Sequence, residues 1–234
     1  MTVDSNAVAC TYEDICTFCS ETRGEASMFL DLGVAQSRDD YVLHETEHFV
    51  VVPCVGALTD WYVLIVPKRH ALSVGWLEPD EREELRVLVE VVRERLAVTT
   101  GLPVVLFEHG SLDFRDKGGA CHDHAHVHLL AVDRPVTEFV SAAAAHVPFV
   151  PCDDWIGEAA RYVREVHRSY LVVAEEQQSL IAAAPALPSQ FFRRTLASWL
   201  LAEEGAADWL VFPQTERLRA MIAQRLDPIV GSTA

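Results

Sequence analysis

The sequence predicts an α+β domain over residues about 15–135, followed by a mainly helical C-terminal extension over residues 136–234. Three observations predict it: short β-branched apolar runs that end at prolines or turn residues, one long stretch of helical periodicity between two pairs of those runs, and a change of composition beyond Arg134-Pro135. Tyr41–Cys54 (YVLHETEHFVVVPC) reads as a strand or two, Gly56–Thr59 as a turn, and Trp61–Pro67 as a buried strand ended by its proline. Glu78-Pro79-Asp80 opens a long helix. Leu85, Leu88, Val89, Val92 and Leu96 share one of its faces, and Glu83, Arg86, Glu90, Arg93 and Glu94 fill the solvated one, until Gly101 stops it. Pro103–Glu108 is a further strand, Ser111–Gly119 a polar loop, and Asp123–Val132 a strictly alternating strand. In the extension Phe139–Ala145, Glu158–His167, Gln190–Leu201 and Glu216–Leu226 read as helices, with Ser189 as a cap, and Ser169–Ala174 as a strand.

Half of the 234 residues are apolar and 23% are charged, with 11 glycines and 11 prolines, which is ordinary globular composition and excludes disorder or low complexity. There are 19 basic against 35 acidic residues, a net charge of −16. So acidic a surface repels phosphate backbones and anionic membranes, so nucleic acid and membrane partners are not expected, while a small anion in a locally positive pocket is. The first residues carry no basic segment followed by an apolar core, and no apolar run approaches the ~20 residues of a membrane span. A cytoplasmic location is expected. Six cysteines in a chain of this size are not needed as staples, and Cys16-x-x-Cys19 reads as metal or redox chemistry before it reads as a disulfide.

Four histidines fall within seven residues, in Cys121-His122-Asp123-His124-Ala125-His126-Val127-His128. On a strand, His122, His124, His126 and His128 project from one face while Ala125, Val127 and Leu129 pack on the core from the other. Lining one face with imidazoles has no packing rationale. It suits two chemistries, metal ligation and nucleophilic attack by a ring nitrogen. The nucleophile reading expects this ribbon at an exposed edge of the core.

His124-Ala125-His126-Val127-His128-Leu129-Leu130 matches the pattern His-φ-His-φ-His-φ-φ at all seven positions, and here the sequence resembles the histidine triad family. Cys16-Thr17-Phe18-Cys19, Ile65-Val66-Pro67-Lys68-Arg69-His70, and Phe107-Glu108-His109-Gly110 followed by Gly118-Gly119 are similar to three further family motifs in the family's order. The resemblance covers residues about 16–135. It implies a triad-type antiparallel sheet with a long helix, a homodimer, and a nucleotide hydrolase or transferase without catalytic Mg²⁺. The middle histidine, His126, is then the nucleophile that takes a nucleotidyl group at the α-phosphorus, and His128 contacts phosphate oxygens or the leaving group. It also implies a structural zinc on Cys16, Cys19, His70 and His124, with Cys121 and His122 near enough to compete as ligands.

The chain also departs from the family. Glu108 or His109 stands where many relatives have asparagine, and Gly118-Gly119-Ala120-Cys121 stands where they have Gly-Gly-Gln-Ser, so a thiol replaces a hydroxyl donor. His109, Glu108, Gly119 and Cys121 are therefore the candidate substrate-binding residues. In the extension, Arg193 and Arg194 could reach phosphate or pair with the many carboxylates, and Phe191, Phe192, Leu196 and Trp199 suit a core or dimer contact. The expected function is hydrolysis of a dinucleoside polyphosphate, nucleoside phosphoramidate or similar conjugate. Transfer of the nucleotidyl group to phosphate or another acceptor is the alternative, and a non-catalytic nucleotide-binding protein the further one.

Overall fold

The computed structural model describes residues 12–175 and 178–224. Four short helices lead: α1 (Tyr12–Ile15), α2 (Thr17–Arg23), α3 (Met28–Asp31) and α4 (Arg38–Tyr41). Then come β1 (His44–Glu45), β2 (Phe49–Pro53), β3 (Tyr62–Pro67), α5 (Pro79–Thr100), β4 (Val104–Gly110) and β5 (Val127–Ala131). The extension adds α6 (Val136–Ala144), β6 (Val150–Cys152), α7 (Trp155–Arg161), β7 (Tyr170–Glu175), β8 (Gln178–Ala183), α8 (Phe191–Leu201) and α9 (Thr215–Gln224). The predicted last helix ran to Leu226, whose final two residues lie outside the described residues.

Among the described residues the strands form one antiparallel sheet in the order β1-β2-β3-β5-β4-β7-β8-β6. β2, β3, β4 and β5 are buried along their whole length, so helices cover both faces, which is why these strands read as apolar runs rather than as alternation. α5 starts at Pro79 behind a Glu78/Glu81 capping box and ends at Gly101, whose φ of 68° only glycine adopts readily. The sheet does not stop at residue 135: β7 pairs with β4 from Leu106↔Ala174 to Gly110↔Tyr170, and β8 and β6 follow it. The extension thus supplies three strands as well as its helices. β6 and β8 escaped the sequence reading because one is three residues around a proline and the other, QSLIAA, has weak β propensity.

Register sorts the central residues onto two faces. Leu64, His128 and Phe107 lie side by side in one row, and Tyr62 and His109 share their face. α6 and α8 cover it through Phe139 and Phe192, whose rings lie 6.3 and 5.0 Å from that of Phe107. Glu108 projects to the opposite face, 1% exposed, where its carboxylate accepts the Val74 N–H at 2.7 Å and the Tyr170 hydroxyl at 2.7 Å. Gly110 makes this possible, since a Cβ there would sit 2.0 Å from the Tyr170 ring.

Burial raises the Glu108 carboxyl to about 7, above its ordinary value. Between those two values the folded chain holds a proton that the unfolded chain has released, so stability falls as pH rises through this window. Glu108→Gln removes the titration. Chemical denaturation across pH 4.5–7.5 should show wild type losing up to about 3 kcal/mol relative to the variant. Parallel profiles would exclude a proton on Glu108.

Candidate active site and metal cradle

The histidine-rich segment enters the sheet later than expected. β5 begins at Val127, so of the four histidines only His128 lies on a strand, and His122, His124 and His126 precede it in irregular chain. The ladder with β3 stops because Pro67 has no N–H and its carbonyl takes the His124 side chain at 2.8 Å, while the Ala125 N–H turns to Ala71 O at 2.6 Å. Alternation survives without strand pairing. The expected exposed edge is also corrected: β5 lies between β3 and β4, and His126 is 6% exposed.

His126 and His128 stand with ring centroids 4.7 Å apart. His126 Nδ1–H donates to the carbonyl of His124 at 2.8 Å, which leaves the lone pair on Nε2; no group among the described residues bonds that nitrogen. Burial, then the neighbouring His122, lowers its pKa to about 3, so the ring is neutral at physiological pH. His128 stacks on Phe107 at 4.2 Å, its Nδ1 lies 2.9 Å from the Tyr62 hydroxyl, and burial holds its pKa well below the ordinary value. Tyr62, kept protonated by burial, donates to Nδ1, so we assign the His128 proton to Nε2 as a donor. The pair therefore presents one nucleophilic nitrogen beside one hydrogen-bond donor.

Cys16, Cys19, His70 and His124 converge, with their donor atoms within 4.8 Å of one another. Cys16 Sγ lies 3.3 Å from His124 Nδ1, Cys19 Sγ 3.4 Å from His70 Nδ1 and 3.5 Å from His124 Nδ1, and the two Nδ1 atoms are 3.2 Å apart. A tetrahedral zinc with bonds of about 2.0–2.3 Å sets its ligand atoms roughly 3.3–3.8 Å apart, which these spacings match. The bond from His124 Nε2–H to Pro67 O turns the Nδ1 lone pair inward, an orientation typical of ligating histidines. Burial and the adjacent Cys16 push the Cys19 thiol up to about 12, so two thiolates here need a cation between them. His122 and Cys121 stand outside this group.

A half-open cleft meets His126 and His128. Phe18 of α2 and Phe29 of α3 form one wall, Val52, Pro53 and Cys54 another, and Cys121, Arg193 and Trp209 close it from the loop and the extension. Its free space is about 50 Å³, room for a few waters and well below the roughly 300 Å³ of a small-molecule pocket. Glu21 reaches the same cleft, its carboxyl raised to about 7 by burial.

The candidate substrate residues separate. Cys121 lines the cleft, with its thiol pKa raised by burial. Glu108 does not reach it, for the reason of register given above. His109 Nε2 accepts the Phe192 N–H at 3.1 Å and is lowered to about 3 by burial, so it satisfies an orphan donor at the start of α8 and holds that helix on the sheet. Gly119, at φ 86°, gives its carbonyl to the Gln190 N–H at 2.7 Å, again anchoring α8. The expected Ser189 cap is not formed; Gln190 flanks the helix in the left-handed region instead. Sequence reasoning missed Tyr62, Glu21 and Trp209. The alternation of β3 placed Tyr62 on the His128 face and could have found it, whereas Trp209 carried no local signal.

No protein-family model and no curated protein matches the chain. Among solved structures it is similar to a HIT family protein from Bacillus anthracis, at 17% identity over 57% of this chain and 98% of that one, with a TM-score of 0.41. It is also similar to a histidine triad protein from Clostridium difficile, at 20% identity over 52% and 93% with a TM-score of 0.36. A third is yeast Ap4A phosphorylase in complex with AMP, at 11% identity over 80% and 81% with a TM-score of 0.39. The described residues form an α+β fold on one antiparallel sheet. Within it the three histidines split by geometry: His124 turns Nδ1 to the cysteines, and His126 and His128 line the cleft.

Proposed function

We propose that the chain is a nucleotide phosphohydrolase that opens a dinucleoside polyphosphate, nucleoside phosphoramidate or similar conjugate at the α-phosphate through a nucleotidyl-His126 intermediate. The observation that carries this reading is the His126 tautomer: Nδ1–H is tied to a backbone carbonyl and Nε2 keeps its lone pair, on a ring that lines the cleft. Nε2 bonds to the α-phosphorus as the bond to the leaving group breaks, and the leaving group departs with that electron pair and takes a proton. Water then attacks the same phosphorus and releases a proton to solvent, balancing the one the leaving group took, the P–N bond breaks, and the imidazole recovers its lone pair. His128 Nε2–H donates to the phosphoryl oxygens, whose charge has to be stabilised as the transition state forms. Cys16, Cys19, His70 and His124 hold a structural zinc that fixes α2 beside the triad and takes no part in the steps.

One observation favours transfer over hydrolysis as a second reading. Arg193 and Trp209 of the extension close the cleft, and a site shielded in this way suits a specific acceptor better than bulk water. Acid-free quenching of the protein during incubation with diadenosine tetraphosphate, or separately with adenosine 5′-phosphoramidate, followed by intact-mass spectrometry, tests the covalent intermediate that both readings share. A mass increase of one adenylyl group is expected on wild type. Turnover of either compound without any adduct under single-turnover conditions would sink the covalent route.

A further inference from the structure

Arg193 lies in the first turn of α8 and is 3% exposed, yet among the described residues it forms no ion pair. Its Nε donates to Ala207 O at 3.3 Å, Nη2 donates to Gly56 O at 2.8 Å and Ala207 O at 3.1 Å, and Nη1 donates to Cys54 Sγ at 3.3 Å. The guanidinium also lies over the Tyr62 ring at 5.7 Å. Every one of these partners is neutral. Burial pushes the Cys54 thiol up to about 11, and it also raises the Tyr62 phenol and the Cys121 thiol, so the ionisable groups around Arg193 supply no negative charge. The neighbouring Arg194 shows the contrast: it is exposed and pairs with Glu204 at 2.9 Å.

A buried guanidinium without a counter-ion carries a large desolvation penalty, and in a chain of net charge −16 carboxylates are plentiful. The position of this one accounts for the missing partner. Arg193 lines the same cleft as His126, His128, Cys54 and Cys121. Three of its five N–H groups go to the carbonyls of Ala207 and Gly56, and Nη1 faces the cleft-wall thiol of Cys54 and the Tyr62 hydroxyl, both neutral partners that an anion can displace.

We propose that the missing counter-ion is the substrate: Arg193 binds a phosphate group of the nucleotide seated beside His126 and His128, which makes the C-terminal extension part of the substrate site. This deepens the nucleotide reading of the cleft and rests on it. Apolar walls from Phe18, Phe29 and Val52 then take the base end, and the buried cation fixes the anionic end next to the nucleophile. Arg193 is a specificity-determining residue that selects for phosphate, and it moves no proton.

Calorimetric titration of the full chain with AMP, with inorganic phosphate and with adenosine tests this. Arg193→Gln is expected to weaken AMP about 10–100-fold, the worth of a charge-assisted hydrogen bond, and to abolish phosphate binding, while adenosine changes less than about twofold. Arg193→Lys, which keeps the charge and loses the fork, is expected to weaken AMP by a smaller factor, and it stands in if the glutamine variant does not fold. Arg194→Gln should bind AMP like wild type. Unchanged AMP affinity in both Arg193 variants, equal loss of AMP and adenosine, or wild type that binds neither AMP nor phosphate would each overturn the proposal. Failure of the His126 mechanism looks different: turnover would survive substitution of His126 while the AMP preference still followed Arg193.

Discussion

Replacing His126 with alanine is expected to lower turnover of diadenosine tetraphosphate by about 10³-fold or more, with AMP still bound. The size follows from the absence of a substitute. A covalent route divides one difficult displacement into two, and removing the nucleophile removes both halves. His128 cannot step in: its Nδ1 accepts the Tyr62 hydroxyl at 2.9 Å and its Nε2 carries the proton, so it has no lone pair to offer. His122 lines the same cleft, but its ring centroid lies 5.9 Å from that of His126, so it does not meet a phosphorus seated on His126 Nε2. Binding should persist because the apolar walls and Arg193 remain, which separates this variant from one that merely unfolds. The adenylyl adduct should vanish with turnover. A variant that hydrolyses at the parental rate would end the mechanism.

Much of the fold was legible because its signals are local. The Pro79 start and Gly101 stop of α5, and the proline-ended runs of β2 and β3, are written in neighbouring residues. The convergence of Cys16, Cys19, His70 and His124 followed from the resemblance stated at the outset, not from spacing, since His70 and His124 are 54 residues apart. What escaped was tertiary. Alternation over Asp123–Val132 suggested a full strand, yet pairing also needs a partner, and Pro67 withdraws it. Glu108 and His109 read alike in sequence, but successive residues of β4 face opposite ways, so one lies under the sheet and the other pins α8. The uncompensated charge of Arg193 exists only once α8 is docked, because its partners come from two distant segments, Cys54 and Gly56 after β2 and Ala207 beyond α8.

Substituting Cys16 and Cys19 by serine is expected to drop zinc from about one ion per chain to none and to destabilise the fold by several kcal/mol. The estimate rests on what metal-free residues would leave behind. Structural zinc binds short peptides with apparent free energies of roughly 10–16 kcal/mol, and whatever part is realised only in the folded chain counts as stability. Here α2 is seven residues and α1 four, too short to persist on propensity alone, so a zinc on Cys16 and Cys19 would add to the packing of Phe18 on the histidines in holding this segment beside the triad. Phe18 sits between the two cysteines, with its ring 5.2 Å from that of His126. Loss of the ion should therefore loosen the cleft wall and raise KM for nucleotide more than it lowers kcat, because the nucleophile's own bond to the His124 carbonyl does not pass through either thiol. A chelator should reproduce both effects in wild type, and elemental analysis with thermal unfolding reads them out. Full zinc retention by the double serine variant would refute this ligand set, since a tetrahedron cannot be closed by His70 and His124 alone.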